Sequence, residues 1–140
     1  MKHNLILRFI AKFLIPVIVL FALYVQFHGD YGPGGGFQAG VIFGAAFILY
    51  GIIFGLAEAK RVAPPAVVEK FVALGILLYA GVGVWSMLKG GNFLQYGVLL
   101  HDSVHGQHLG ILLIELGVGI TVSAVMVLIF FNFAGRGRAR

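Results

Sequence analysis

Four long apolar runs, separated by short polar breaks, predict helices at about 5–27, 37–57, 67–88 and 107–131. A helix needs about 20 apolar residues to cross the ~30 Å hydrocarbon core of a bilayer, and each run is that long. The second run carries no charge, and the third is charged only at its beginning. In the fourth, from Leu109 to Phe131, the single charge is Glu115. The first has Arg8 and Lys12 near its start and Pro16 further in. It is long, and no small-residue cleavage site follows it, so it reads as a retained helix and not a signal peptide. The expected fold class is an all-α membrane protein, with four transmembrane helices in a single domain over residues 1–140.

The breaks differ in character. Pro64-Pro65 makes the second connection short and stiff. The third, Gly90 to Gly106, opens on the turn signal Gly90-Gly91-Asn92. Its Phe93, Leu94, Tyr96, Val98, Leu99 and Leu100 are too apolar for a free loop and predict a re-entrant or interfacial piece. The first break, His28 to Gly36, is dense in glycine, and Gly36, Gly40 and Gly44 carry the glycines into the second helix at one per turn. Small residues at that spacing let helix backbones approach closely in lipid.

Composition supports the membrane reading. Hydrophobic residues make up 60% of the chain and charged residues 11%, against about 25% charged in a soluble domain. There is no cysteine, which excludes disulfides and thiol chemistry. The net charge of +5 does not point to nucleic acid, because the basic residues sit at the ends of apolar runs. Lys2, Arg8, Lys12, Lys60, Arg61, Lys70, Arg136, Arg138 and Arg140 fall on one side of the four-span arrangement, and Lys89 alone falls on the other. The positive-inside rule then predicts both termini in the cytoplasm, with the glycine turn and the Lys89–Gln107 segment outside. Tyr24, Tyr31, Trp85 and Tyr96 suit the outer interfacial belt.

Few residues can carry chemistry. Glu115 is an ionisable group inside a span, which is costly and marks either a functional site or a hydrogen bond between helices. His108, Glu115, Gly119 and Ser123 fall near one helical stripe. His101, Asp102, His105 and His108 cluster at the outer end of the fourth helix. Haem fits that cluster poorly, because the histidines share one segment near an edge. Zinc lacks a clear fourth ligand beyond Asp102. A wet, proton-sensing interface, or a helix cap from Asp102 or Ser103, fits better. Asp30 and His28 flank the glycine turn as a solvated pair or a cation-attracting mouth. Glu115, His108, Asp30, Asp102 and His105 are thus the candidate ion path. No phosphate loop, dinucleotide fingerprint, nucleophile triad or metalloprotease motif is present, so no enzyme or cofactor is expected.

The string Pro33-Gly34-Gly35-Gly36-Phe37-Gln38-Ala39-Gly40 resembles the signature of the MnhB/MrpB-like family, a set of subunits of the Mrp (Mnh) multisubunit sodium/proton antiporters. The run Gly110 to Gly119, with Glu115 ahead of Gly117-Val118, is similar to that family's last helix. The resemblance covers nearly the whole chain. It implies a multi-pass subunit of a bacterial or archaeal inner-membrane complex. Its partners would be other subunits, including large antiporter-like ones, and the ions moved would be Na+ and H+. It further implies that the subunit helps build the complex and borders the sodium route. Members often carry His, and also acidic residues, in the slot of Asp30, which keeps that position polar or ionisable. The same module also occurs in membrane-bound hydrogenases and related respiratory complexes. A purely structural scaffold is a further alternative. So is a self-sufficient four-helix exporter, although such exporters usually place their carboxylate in the first helix.

Overall fold

The computed structural model describes residues 5–29 and 31–136. Asp30, Lys2, Arg138 and Arg140 lie outside the described residues. The elements are α1 (Leu5–His28), α2 (Gly36–Phe54), α3 (Leu56–Val62), α4 (Pro65–Leu88), a 3-10 turn (Tyr96–Val98) and α5 (Ser103–Arg136). No strand occurs among the described residues. Helices α1, α2, α4 and α5 are each long and apolar enough to cross a membrane. Helix α1 runs unbroken past Pro16.

The boundaries differ from the sequence expectation in two places. The second span ends at Phe54 instead of 57. Gly55, at φ 105° and ψ 153°, takes a backbone conformation that L side chains rarely adopt and breaks the helix there. The residues that follow form α3, so the second connection is a short helix ahead of Pro64. The last helix is longer than the expected 107–131, because Ser103–Arg136 all keep helical geometry.

Each helix packs on its neighbour in a row: α1 on α2, α2 on α5, α5 on α4. Glycines make the two α5 contacts close. A Cβ on Gly36 would collide with the backbone carbonyl of Glu115. One on Gly40 would stand 2.7 Å from the Gly119 carbonyl oxygen, and one on Gly44 3.0 Å from Met126 Cβ. Rising residue numbers on α2 thus meet rising numbers on α5, so the two helices run parallel. On the opposite side of α5, Gly75 lies against Thr121 and Gly117. The glycine stripe read from the sequence is therefore a seam within this chain.

The two ends of the bundle differ. At one end Ala59, Val68, Ala124, Val127 and Phe131 form the buried apolar cluster. Lys60 Nζ sits 5.8 Å above the Phe131 ring and the Arg8 guanidinium 5.3 Å above the Phe54 ring. At the other end lie the glycine turn and the Gly90–Asp102 segment. That segment folds back onto the helices: the Phe93 ring covers Gly83, the Tyr96 ring covers Gly110, and Leu99 is buried. Irregular backbone next to a membrane requires such cover.

Candidate functional site

The glycine turn and the carboxylate of Glu115 form one site. Helix α1 ends at His28, and α2 starts at Gly36 after a turn in which Gly35 N–H donates to the Val25 carbonyl (3.3 Å). Gly35, at φ 124° and ψ 178°, needs glycine's freedom. The turn is laid over Glu115. A Cβ on Gly29 would stand 2.7 Å from Glu115 Oε2 and 2.9 Å from Oε1, and one on Gly35 2.9 Å from Oε1. Any side chain at Gly29 or Gly35 would displace the carboxylate. Each motif residue has a place here. Gly34 faces the Val25 carbonyl, Gln38 Oε1 lies beside Gly35, Gly36 and Gly40 take the closest approach to α5, and Pro33 and Phe37 stay exposed.

The chemistry of that arrangement is electrostatic. Glu115 is half-buried and its oxygens face the start of α2. The first N–H groups of any helix lack intrahelical partners, and the helix dipole puts positive charge at that end. A carboxylate placed at such an end meets backbone of favourable polarity. His28 lies beside the turn, stacked on Tyr24 at 5.1 Å between ring centroids, with its Nε2 against Gly32.

Gln26 lies beside the next turn of α5, and sequence reading passed over it. It is 95% buried, and its Oε1 lies against Gly119, one turn beyond Glu115. Its Nε2 is buried with no acceptor among the described residues. The signal was a lone carboxamide in an apolar run, where lipid offers no hydrogen bond. Three hydroxyls of the spans do find acceptors on their own helices: Ser86 donates to the Gly83 carbonyl, Thr121 to Gly117 and Ser123 to Ile120.

The His/Asp cluster at the start of α5 is separate. Asp102 Oδ1 accepts from the Val104 N–H at 3.0 Å and caps α5. Its Oδ2 lies 2.6 Å from His105 Nδ1, and both side chains are exposed. The His105 bond first, and then the Val104 N–H, hold the Asp102 carboxyl below the usual carboxylate range. His101 and His108 are exposed too, and His108 precedes Glu115 by seven positions, roughly 10 Å along the helix. Among the described residues no three His, Asp or Glu side chains converge on a point that would hold a metal ion.

Comparison with known proteins bears on the same residues. A family model described as a domain related to the MnhB subunit of the Na+/H+ antiporter matches residues 6–128. That span holds the glycine turn, Gln26 and Glu115 together. A protein of Staphylococcus haemolyticus (strain JCSC1435) named "Putative antiporter subunit mnhB2" is 34% identical over 139 residues, 96% of this chain and 98% of the relative. A protein of the same name from Staphylococcus aureus (strain Newman) is 33% identical over the same shares. One from Staphylococcus epidermidis (strain ATCC 12228 / FDA PCI 1200) is 31% identical.

Proposed function

The chain belongs to the family of domains related to the MnhB subunit of Na+/H+ antiporters, and we propose that it is a non-catalytic membrane subunit of a multisubunit Na+/H+ antiporter. In this reading both termini face the cytoplasm, the subunit is needed for assembly, and Glu115 borders the ion route. The observation that carries it is the seating of Glu115 under the glycine turn, so that the family string and the one carboxylate of α5 form a single structure. A carboxylate neutralised by either a proton or Na+, but not by both, is the simplest element of an exchange pathway. The glycine turn leaves its oxygens facing backbone, with no room for a side chain at Gly29 or Gly35. His28 then lies at the mouth of the route, with His108, Asp102 and His105 along its outer approach; the expectation of a second mouth residue at Asp30 falls outside the described residues.

The test is sodium-dependent proton movement in everted vesicles carrying the intact complex. Glu115→Gln keeps the shape and removes the charge. Antiport is expected to fall by about tenfold or more while the complex still co-purifies. Glu115→Asp should retain part of the activity. Full activity of Glu115→Gln in a fully assembled complex would leave the residue with a packing role only.

A further inference from the structure

Beyond the site around Glu115, the bundle carries an open groove. Because α1 and α4 lie at opposite ends of the packed row, the face between them is uncovered. Helices α1 and α4 wall the groove, and α2 and α5 floor it. Its volume is about 430 Å³ and its lining is almost wholly apolar, with Phe71 on one wall and Phe43, Gly40 and Gly119 on its floor. Along α5 it runs from Leu116 to Val127, about 16 Å at 1.5 Å per residue, or three helical turns. Two lining residues are polar. Ser123 already donates to the Ile120 carbonyl, whereas Gln26 Nε2 has no acceptor among the described residues.

We infer that this groove seats a transmembrane helix of a different subunit, which brings a hydrogen-bond acceptor to Gln26. The inference rests on the antiporter-subunit reading above. The groove's length matches a helix contact. Its room suits a ridge of side chains and not a whole helix, as in ridge-into-groove packing. Gln26 selects among occupants. A buried amide donor without an acceptor is costly, and the apolar part of a lipid chain cannot satisfy it. A Ser or Thr hydroxyl, a carboxylate or a bent helix's carbonyl can. The terminal torsion of glutamine is broad, so Nε2 can turn to an acceptor brought to the groove wall.

The test is photo-crosslinking in the native membrane, with benzoylphenylalanine in place of Phe43 or Phe71, within the assembled complex. The expected adduct joins this chain to a residue within a span of another antiporter subunit, identified by peptide mass spectrometry. Gln26→Leu should lower the adduct yield and the retention of that subunit in detergent by about threefold, the scale of one interhelical hydrogen bond. Three results overturn the inference while leaving subunit membership intact: adducts to lipid only, adducts to a second copy of this chain, or adducts to an extramembrane loop, each with the complex co-purifying. An unchanged yield in Gln26→Leu overturns the role of the amide. If no other subunit co-purifies with the chain at all, the antiporter reading fails and this one with it.

Discussion

Gly36 and Gly81 are both glycines inside helices, and the structure gives them opposite roles. A methyl at Gly36 meets the backbone of Glu115, whereas one at Gly81 meets nothing within 4 Å. Gly36→Ala should therefore destabilise the α2–α5 seam by about 1–3 kcal/mol or more, as overpacking against backbone does. Gly81→Ala should be neutral or stabilising by up to about 1 kcal/mol, because alanine is the better helix former. Thermal shifts of the purified complex separate the two, and equal shifts would contradict the seam. At this scale the sequence was partly legible. Glu115 stood out because any carboxylate in a span is costly. What could not be read was that its oxygens turn towards Gly29 and Gly35, since that depends on how α5 is rotated against α2. Gln26 was overlooked because one amide barely perturbs an apolar run, and its cost shows only once its surroundings are seen to be dry.

At the scale of elements, α5 illustrates how length and capping act together. Its 34 residues reach about 51 Å, well beyond the ~30 Å hydrocarbon core. The excess at its start is held by Asp102, which caps the helix and pairs with His105. Because the folded state holds this carboxyl below its usual range, the cap's contribution is present at neutral pH. It is lost as pH falls through the lowered value, in the acid range. Asp102→Ala should speed hydrogen exchange of the amides from Val104 to His108 at neutral pH, and the mutant and the parent should converge at low pH. An unchanged exchange rate would remove the cap from the account. The four spans were legible because each is a long apolar run. Their ends were less so: hydropathy carried the second span past Gly55, where a positive φ breaks it, and it carried no mark of the helical excess of α5.

The molecule as a whole has a basic, aromatic-rich end and a glycine-and-carboxylate end. Lys60 and Arg8 over aromatic rings define the first, and the Gly29–Gly36 turn over Glu115 defines the second. The proposed orientation, with the basic end in the cytoplasm, follows from the positive-inside rule. The chain has no cysteine, so single-cysteine labelling is clean. A membrane-impermeant maleimide should label Lys89→Cys on intact cells, and Arg61→Cys only after the inner face is exposed. The reverse pattern would invert the proposed topology. The number of spans and the charge bias were plain in the sequence, but the order of packing was not. Apolar runs do not say which helix lies beside which, and the adjacency of α2 to α5 rests on two glycine-bearing stripes whose complementarity appears only in three dimensions.

That adjacency has a consequence for biosynthesis. Residue 36 meets residue 115, so one of the tightest contacts in the bundle joins α2 to a helix made about 80 residues later. Until α5 has emerged, α2 sits in the bilayer with its glycine face open and the Gly29–Gly35 turn has nothing beneath it. The seam therefore closes only once α5 has been made, and the walls of the groove take their places no earlier. A nascent chain halted before α5 would present neither surface, which links the readiness of this chain for its neighbours to the insertion of α5.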